Sequence, residues 1–245
     1  CLSDLSLLRC EKEVFGPVAS DPTVCRLVGT LADHVEAVEA TVNRARTVVR
    51  QRAWALAGAD APTAGISAAH PLVIDVDATL VNVHSDKEGA APTFKKGFGY
   101  HPLTAWFDHG ADGAGECAAI MLRPGNAGAN TAADHIEVIS RALDQAGLGS
   151  RPGRKVLVRI DGAGGTRQTV GFLARRRVSY SVGFKLPDRT PDIYAKIPET
   201  AWAPAYNADG DPREGADVAE ITGMLDLTGW PEGMRVIMRR EKPHP

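Results

Sequence analysis

The run Pro71-Leu72-Val73-Ile74-Asp75-Val76-Asp77-Ala78-Thr79-Leu80-Val81 constrains the fold more than any other part of the chain. It is apolar over the length of one buried strand, and its only charges are two aspartates two positions apart. Side chains alternate faces along a strand, so Asp75 and Asp77 point to the same side. Two carboxylates on one buried face repel each other, and burial penalises both. A cation resolves the conflict, and hard oxygen ligands at a strand end suit magnesium or manganese. The alternative is a strand end where one or both acids reach water.

The rest of the composition is that of an ordinary globular chain. It has 245 residues, 44% hydrophobic and 24% charged, enough for one good core plus a smaller domain. A net charge of −2 announces no nucleic-acid partner by itself. Cys1, Cys10, Cys25 and Cys117 form no Cys-x-x-Cys pair and fit reduced thiols, so a cytoplasmic location is expected. No apolar run is long enough to span a membrane, so neither a signal peptide nor a membrane partner is expected. The ends look cut: Cys1 is no start residue, and the chain stops just after a strand-like run.

Three blocks are expected. Residues 1–70 read as helical, with Asp21 as N-cap, Pro22 at the first helical position and apolar residues from Val24 to Val49 at helical spacing. Gly58 is the expected stop, and the stretch from Ala57 to Ala69 reads as a linker. Residues 71–187 read as an α/β core. Strand one is the Asp75/Asp77 run, strand two Gly99–Asp108, and strand three Glu116–Arg123 after the turn Asp112-Gly113-Ala114-Gly115. That short turn makes strands two and three antiparallel. A helix capped by Thr131 and closed by Gly147 follows, then strand four at Val156–Ile160. A glycine turn leads to a helix near Thr166–Arg176 and a fifth strand at Val178–Leu186. Residues 188–245 read as the start of a β-rich unit, with strands at Ala219–Leu227 and Met234–Arg240.

Strand four ends in Asp161. In a β-β-β-α-β sheet of the ribonuclease H kind, strands one and four are neighbours, so Asp161 stands beside the strand-one acids. Acids on adjacent strands can share a divalent ion that assists an in-line phosphoryl transfer. An aspartate before glycines is also a common turn residue.

These residues resemble a known family. The segments VIDVDATLVNVHSDKEGAAPTFKKGFGYHPLTAW, LRPGNAGANTAADHIEVI, VRIDGAGGT, YSVGFKL and RVIMRREKPHP are similar to the DDE transposases of bacterial insertion sequences, closest to the insertion-sequence 1380 group. The resemblance covers essentially the whole chain. It implies an α/β ribonuclease H-like mixed sheet (β-β-β-α-β-α-β) with a helical N-terminal region and the start of a β-rich insertion. It implies magnesium or manganese held by an Asp-Asp-Glu triad. The first acid falls on Asp77 and the second on Asp161, while Asp75 matches a neighbouring acid that joins them as a catalytic candidate. It implies DNA partners, both element terminal repeats and target DNA, with self-association of the full-length enzyme and a place at the bacterial nucleoid. The family's third acid is a Glu on a helix after the inserted β-domain, and the chain stops inside that insertion. Glu220, Glu232 and Glu241 are poor substitutes, so this fragment is expected to be inactive alone.

Lys95 and Lys96, in a glycine-punctuated loop, and Arg123, Asn126 and Asn130, after strand three, are candidates for contact with DNA phosphates. Asn126 and Asn130 also suit turns and caps. The triplet Arg175-Arg176-Arg177 suits a helix C-terminus. Two other functions are weighed. Asp75-Val76-Asp77-Ala78-Thr79-Leu80 also resembles the opening motif of haloacid-dehalogenase-type phosphatases, with Asp75 as nucleophile, Asp77 as general acid and Asp161 as a late magnesium ligand. That fold needs a parallel crossover after strand one. The third reading is a DNA-binding remnant without catalysis.

Overall fold

The computed structural model describes residues 4–110, 113–149, 151–188, 190–207 and 209–242. The chain divides into two compact units between Arg50 and Gln51.

The first unit is helical: α1 (Leu5–Cys10), α2 (Lys12–Phe15), α3 (Asp21–Ala32) and most of α4 (Val35–Ala57), whose C-terminal end enters the second unit. The cap of α3 is Ser20, in extended conformation, and Pro22 lies in the first turn. Asp21, the expected cap, is instead the first helical residue and accepts a 2.6 Å bond from Arg9. The expected continuous helix from Val24 to Val49 is broken at Asp33 and His34. The break follows Gly29 and Thr30, weak helix formers in a helix that buries no side chain. Leu27, Val28 and Leu31 are exposed.

The second unit continues α4 to Ala57, where Gly58 turns left-handed (φ 58°) and ends it as expected. There follow β1 (Leu72–Ala78), β2 (Val81–Asn82), β3 (Ala91–Pro92), β4 (Phe98–Tyr100), β5 (Leu103–Phe107), β6 (Glu116–Met121), α5 (Ala132–Ala146), β7 (Val156–Ile160), α6 (Arg167–Arg175), β8 (Ser179–Val182), α7 (Thr190–Tyr194), β9 (Ala203–Tyr206), β10 (Pro212–Glu220) and β11 (Ile237–Glu241).

The main sheet has the order β6-β5-β1-β7-β8. β5 is antiparallel to β1 and β6 to β5, while β7 runs parallel to β1 and β8 to β7. This is the arrangement expected from the short β5–β6 connection and the single helix before β7, and it is consistent with a ribonuclease H-like fold. Of that connection, Asp112 lies outside the described residues, as do Cys1 and residues 243–245 at the ends. An antiparallel β5 directly beside β1 removes the parallel crossover that the phosphatase reading requires.

Packing explains the central strand. Leu72, Ile74 and Val76 of β1 are buried, as are Val156, Val158 and Ile160 of β7, on the face covered by α5. α5 meets them with His135, Val138, Ile139, Ala142, Leu143 and Ala146, a stripe at helical spacing. Trp54, from the end of α4, stands edge-on to Phe107 at 5.1 Å and donates to Glu116.

Strand two of the sequence reading splits at His101-Pro102. β4 leaves the main sheet to join the small sheet β2-β4-β3, because Pro102 has no amide to donate to a ladder. In that small sheet Gly99 (φ 150°) allows the closest approach: a Cβ there would stand 2.0 Å from the Val81 carbonyl oxygen. The third strand stops at Met121 and the fifth at Val182, both earlier than expected. The C-terminal segment forms the antiparallel sheet β11-β10-β9 over its own cluster of Val170, Ile193, Ile197, Ala219, Ile221, Met234, Val236 and Met238. The run Ala219–Leu227 is not one strand; β10 ends at Glu220 and a tight turn at Thr222–Met224 follows. Among the described residues no helix is long and apolar enough to cross a membrane.

Candidate active site

The acids gather at one end of the main sheet. The β1–β7 ladder ends with Val76 opposite Ile160, so Asp77 and Asp161 are the next residues out on adjacent parallel strands. Asp161 keeps an extended backbone (φ −68°, ψ −171°), and by alternation both acids lie on the face opposite α5. Both are exposed. Asp77 Oδ1 accepts from the Ala78 amide at 2.8 Å, and Asp161 Oδ1 from the Ala163 amide at 2.9 Å. Each Oδ2 has no hydrogen-bond partner among the described residues. Behind Asp161, Gly183 packs so closely that a Cβ would stand 2.9 Å from the Gly162 nitrogen. Asp77 is fixed from the other side, where the Thr104 hydroxyl donates to its carbonyl oxygen at 3.1 Å and itself accepts from Trp106 Nε1 at 2.9 Å.

Asp75 is differently employed. Arg159, opposite it on β7, donates Nε and Nη2 to the two Asp75 oxygens at 2.5 and 2.6 Å, and Nη2 to Asp108 at 2.8 Å. The hydrogen bonds to Asp75 raise the Arg159 pKa further above its ordinary value, so the clamp is charged at any working pH. The cation inferred from paired acids on strand one is therefore, for Asp75, a guanidinium of the protein itself. The expected burial of these acids also fails, since the face carrying them is open and the Asp75 side chain is 39% exposed.

Three loops leave the same end of the sheet. β1 runs into the small sheet, β6 into the segment from Leu122 to Thr131, and β7 into the Asp161 turn. The hairpin between β3 and β4 closes with Lys96 (φ 62°) donating its amide to the Thr93 carbonyl, and presents Phe94, Lys95 and Lys96 to solvent. Lys95 Nζ sits 5.7 Å from the Phe94 ring centre.

A family model, the transposase DDE domain group 1, matches residues 3–245. The chain belongs to this family. No curated protein matches it.

In this transposase domain, the two acids read as family ligands are the two that adjacent strands bring together. Among the described residues no group of three His, Cys, Asp or Glu side chains could hold a metal ion. A pair of exposed carboxylates with unengaged oxygens nevertheless fits magnesium, which commonly takes one or two protein carboxylates and completes its shell with water and substrate phosphate. Of the residues weighed for DNA contact, Lys95, Lys96, Asn126 and Asn130 are exposed at this end. Arg123 is not available. It is 4% exposed, with Nε donating to the His101 carbonyl at 2.9 Å and Nη1 to the Gly128 carbonyl and Asp134 at 3.2 and 3.0 Å. The sequence reading missed Arg159, although a lone arginine in Val-Leu-Val-Arg-Ile, two before Asp161, mirrors the Asp75/Asp77 spacing. It also missed Phe94, whose position beside two lysines was the available signal.

Proposed function

We propose that this chain belongs to a bacterial insertion-sequence transposase of the insertion-sequence 1380 group, with a catalytic core over 71–187 that cuts and rejoins DNA at element ends. The observation that carries the reading is the pairing of Asp77 with Asp161 on neighbouring parallel strand ends, on one open face, in a member of the DDE transposase family. Asp77 and Asp161 would hold magnesium or manganese, which when bound supplies Lewis acidity to the scissile phosphate and lowers the pKa of an attacking oxygen. The chain's own part is positioning. Backbone amides fix one oxygen of each acid and leave the other toward the DNA. Asp75 acts through Arg159, fixing the strands that carry the ligands. Lys95 and Lys96 neutralise phosphates beside the cut, and Asn126 and Asn130 offer amides to the sugar-phosphate backbone. The third carboxylate of the triad would come from outside these residues, because no third acid joins the pair among those described. The protein would work at the bacterial nucleoid, on terminal repeats and target DNA, as a self-associated assembly.

The test is cleavage of supercoiled DNA bearing the cognate element ends, with magnesium or manganese. Five proteins are compared: this chain with and without Asp77→Ala, a chain extended through a downstream Glu-bearing helix, and the extended chain with Asp77→Ala and with Asp161→Ala. Cutting is expected only in the unsubstituted extended chain, with each alanine lowering the rate by more than about 10²–10³-fold. Cutting by the short chain that Asp77→Ala abolishes would place the third acid within these residues. An extended chain that binds element ends but never nicks them would favour the non-catalytic remnant.

A further inference from the structure

The parallel pairing of β7 with β8 has a second effect, at the opposite end of the sheet. It brings together two basic runs that are far apart in sequence: Arg151, Arg154 and Lys155 before β7, and Arg175, Arg176 and Arg177 before β8. Leu157 pairs with Ser179, so Lys155 and Arg177 each stand two residues ahead of the same rung. Arg154 and Arg177 line an open cleft of about 1120 Å³, together with Ser179, Tyr180 and Arg235. Glu232 is the one acid lining it among the described residues. Arg235 is committed to Glu220 at 2.7 Å, and Arg176 stacks on Phe172 at 4.5 Å. The guanidinium groups of Arg154 and Arg177 meet no hydrogen-bond or ion-pair partner among the described residues.

A helix end that favours cations accounts for Arg175 and Arg176. It does not account for Arg154 and Lys155, which precede a strand. Nor does it account for Arg177, whose left-handed backbone (φ 59°) suits glycine or asparagine better than arginine. Two unpaired guanidiniums over a concave cleft with hydroxyl groups at its wall match the spaced charges of a phosphodiester backbone. A lipid surface would call for an exposed amphipathic helix face, which this cleft lacks.

We propose that this cleft is a second DNA-backbone site, resting on the transposase reading but separate from the acidic end. β7 has five residues, which at strand rise puts the cleft about 16 Å from Asp161, or about five base pairs of duplex. One end of the sheet would then position the scissile phosphate while the other grips flanking duplex.

The experiment measures binding of a fluorescein-labelled random-sequence DNA duplex by anisotropy across a salt series. It compares the chain as it stands with Arg154→Gln/Arg177→Asn, Arg154→Lys/Arg177→Lys, and Lys95→Gln/Lys96→Gln. The Gln/Asn pair should bind several-fold more weakly at low salt, with a salt slope shallower by about 2. The Lys pair should restore most of both. Melting curves check the fold. If the Gln/Asn pair misfolds, Arg154→Gln alone carries the test with a slope change of about 1. Weakening by the Lys95/Lys96 variant only, with the cleft variants unchanged in affinity and slope, overturns the cleft and leaves the transposase reading intact. Absence of duplex binding by the unsubstituted chain overturns both. Cosedimentation with phosphatidylserine vesicles, lost in the Gln/Asn pair without any effect on DNA, overturns the DNA assignment.

Discussion

Arg123 shows how far a single residue can depart from its polarity. From Ala119 onward inward and outward places alternate and run on past the end of β6, but polarity reverses there: Leu122 takes an outward place, 82% exposed, and Arg123 the next inward one, buried. No reading of side-chain type along the chain anticipates that reversal, which is why Arg123 passed for a phosphate contact. Inside, its guanidinium ties the end of β6 to the following loop and to the first turn of α5. Arg123→Ala should destabilise the fold by about 2–3 kcal/mol, because two carbonyls lose their donor and Asp134 loses its partner. Arg123→Lys should recover little, since an ammonium cannot reproduce the planar fork. Urea unfolding of both variants checks this. Asp77 and Asp161 were legible because an acid that ends an apolar strand leaves its mark in sequence. What supports them, the Arg159 clamp behind and the Thr104 hydroxyl on β5, depends on which strands become neighbours.

At the scale of elements, β9, β10 and β11 are held by exposed charge as much as by packing. Arg235 donates to Glu220 and Arg213 to Glu241, and Arg240 reaches both Asp217 and Glu199. Hydrogen bonds from Arg240, Arg235 and Arg213 lower the pKa values of Glu199, Glu220 and Glu241, respectively, below the ordinary 4.5. A carboxylate with a lowered folded pKa contributes stability that is complete above its unfolded pKa and disappears as pH falls through the folded one. The C-terminal sheet should therefore loosen below about pH 4.5, ahead of the main sheet, and at neutral pH it should loosen slightly with added salt. Amide exchange of β10 and β11 against β1 and β7 across that range measures it; equal pH dependence of the two sheets would refute it. This sheet was only half legible. Pro212-Arg213-Glu214-Gly215 lacks the apolar alternation of a strand; Pro212 pairs with Tyr206 of β9 before the register shifts, and the ladder to β11 starts at Ala216.

For the whole molecule, the order of the main sheet could be read because connection lengths decide it. A short link forces the antiparallel pair β5–β6, and one intervening helix returns the chain parallel to β1. The small sheet could not, since its strands are two or three residues long and held by glycine contacts rather than by pattern. Protection from hydrogen exchange should follow this hierarchy. Ile74 and Val76, paired on both sides at the centre, should open only with global unfolding, and Asn82 and Ala91 should exchange by local opening. The spacing of the two strand-one acids carries a hazard of its own. Slipping β1 by two residues against β7 would keep every apolar side chain on the α5 face, yet deliver Asp75 to the place of Asp77. Hydrophobic patterning cannot tell these two alignments apart. The bidentate bond from Arg159 can, because only the native alignment sets that guanidinium opposite Asp75, and so the clamp works as a proofreading device for the strand that carries the chemistry.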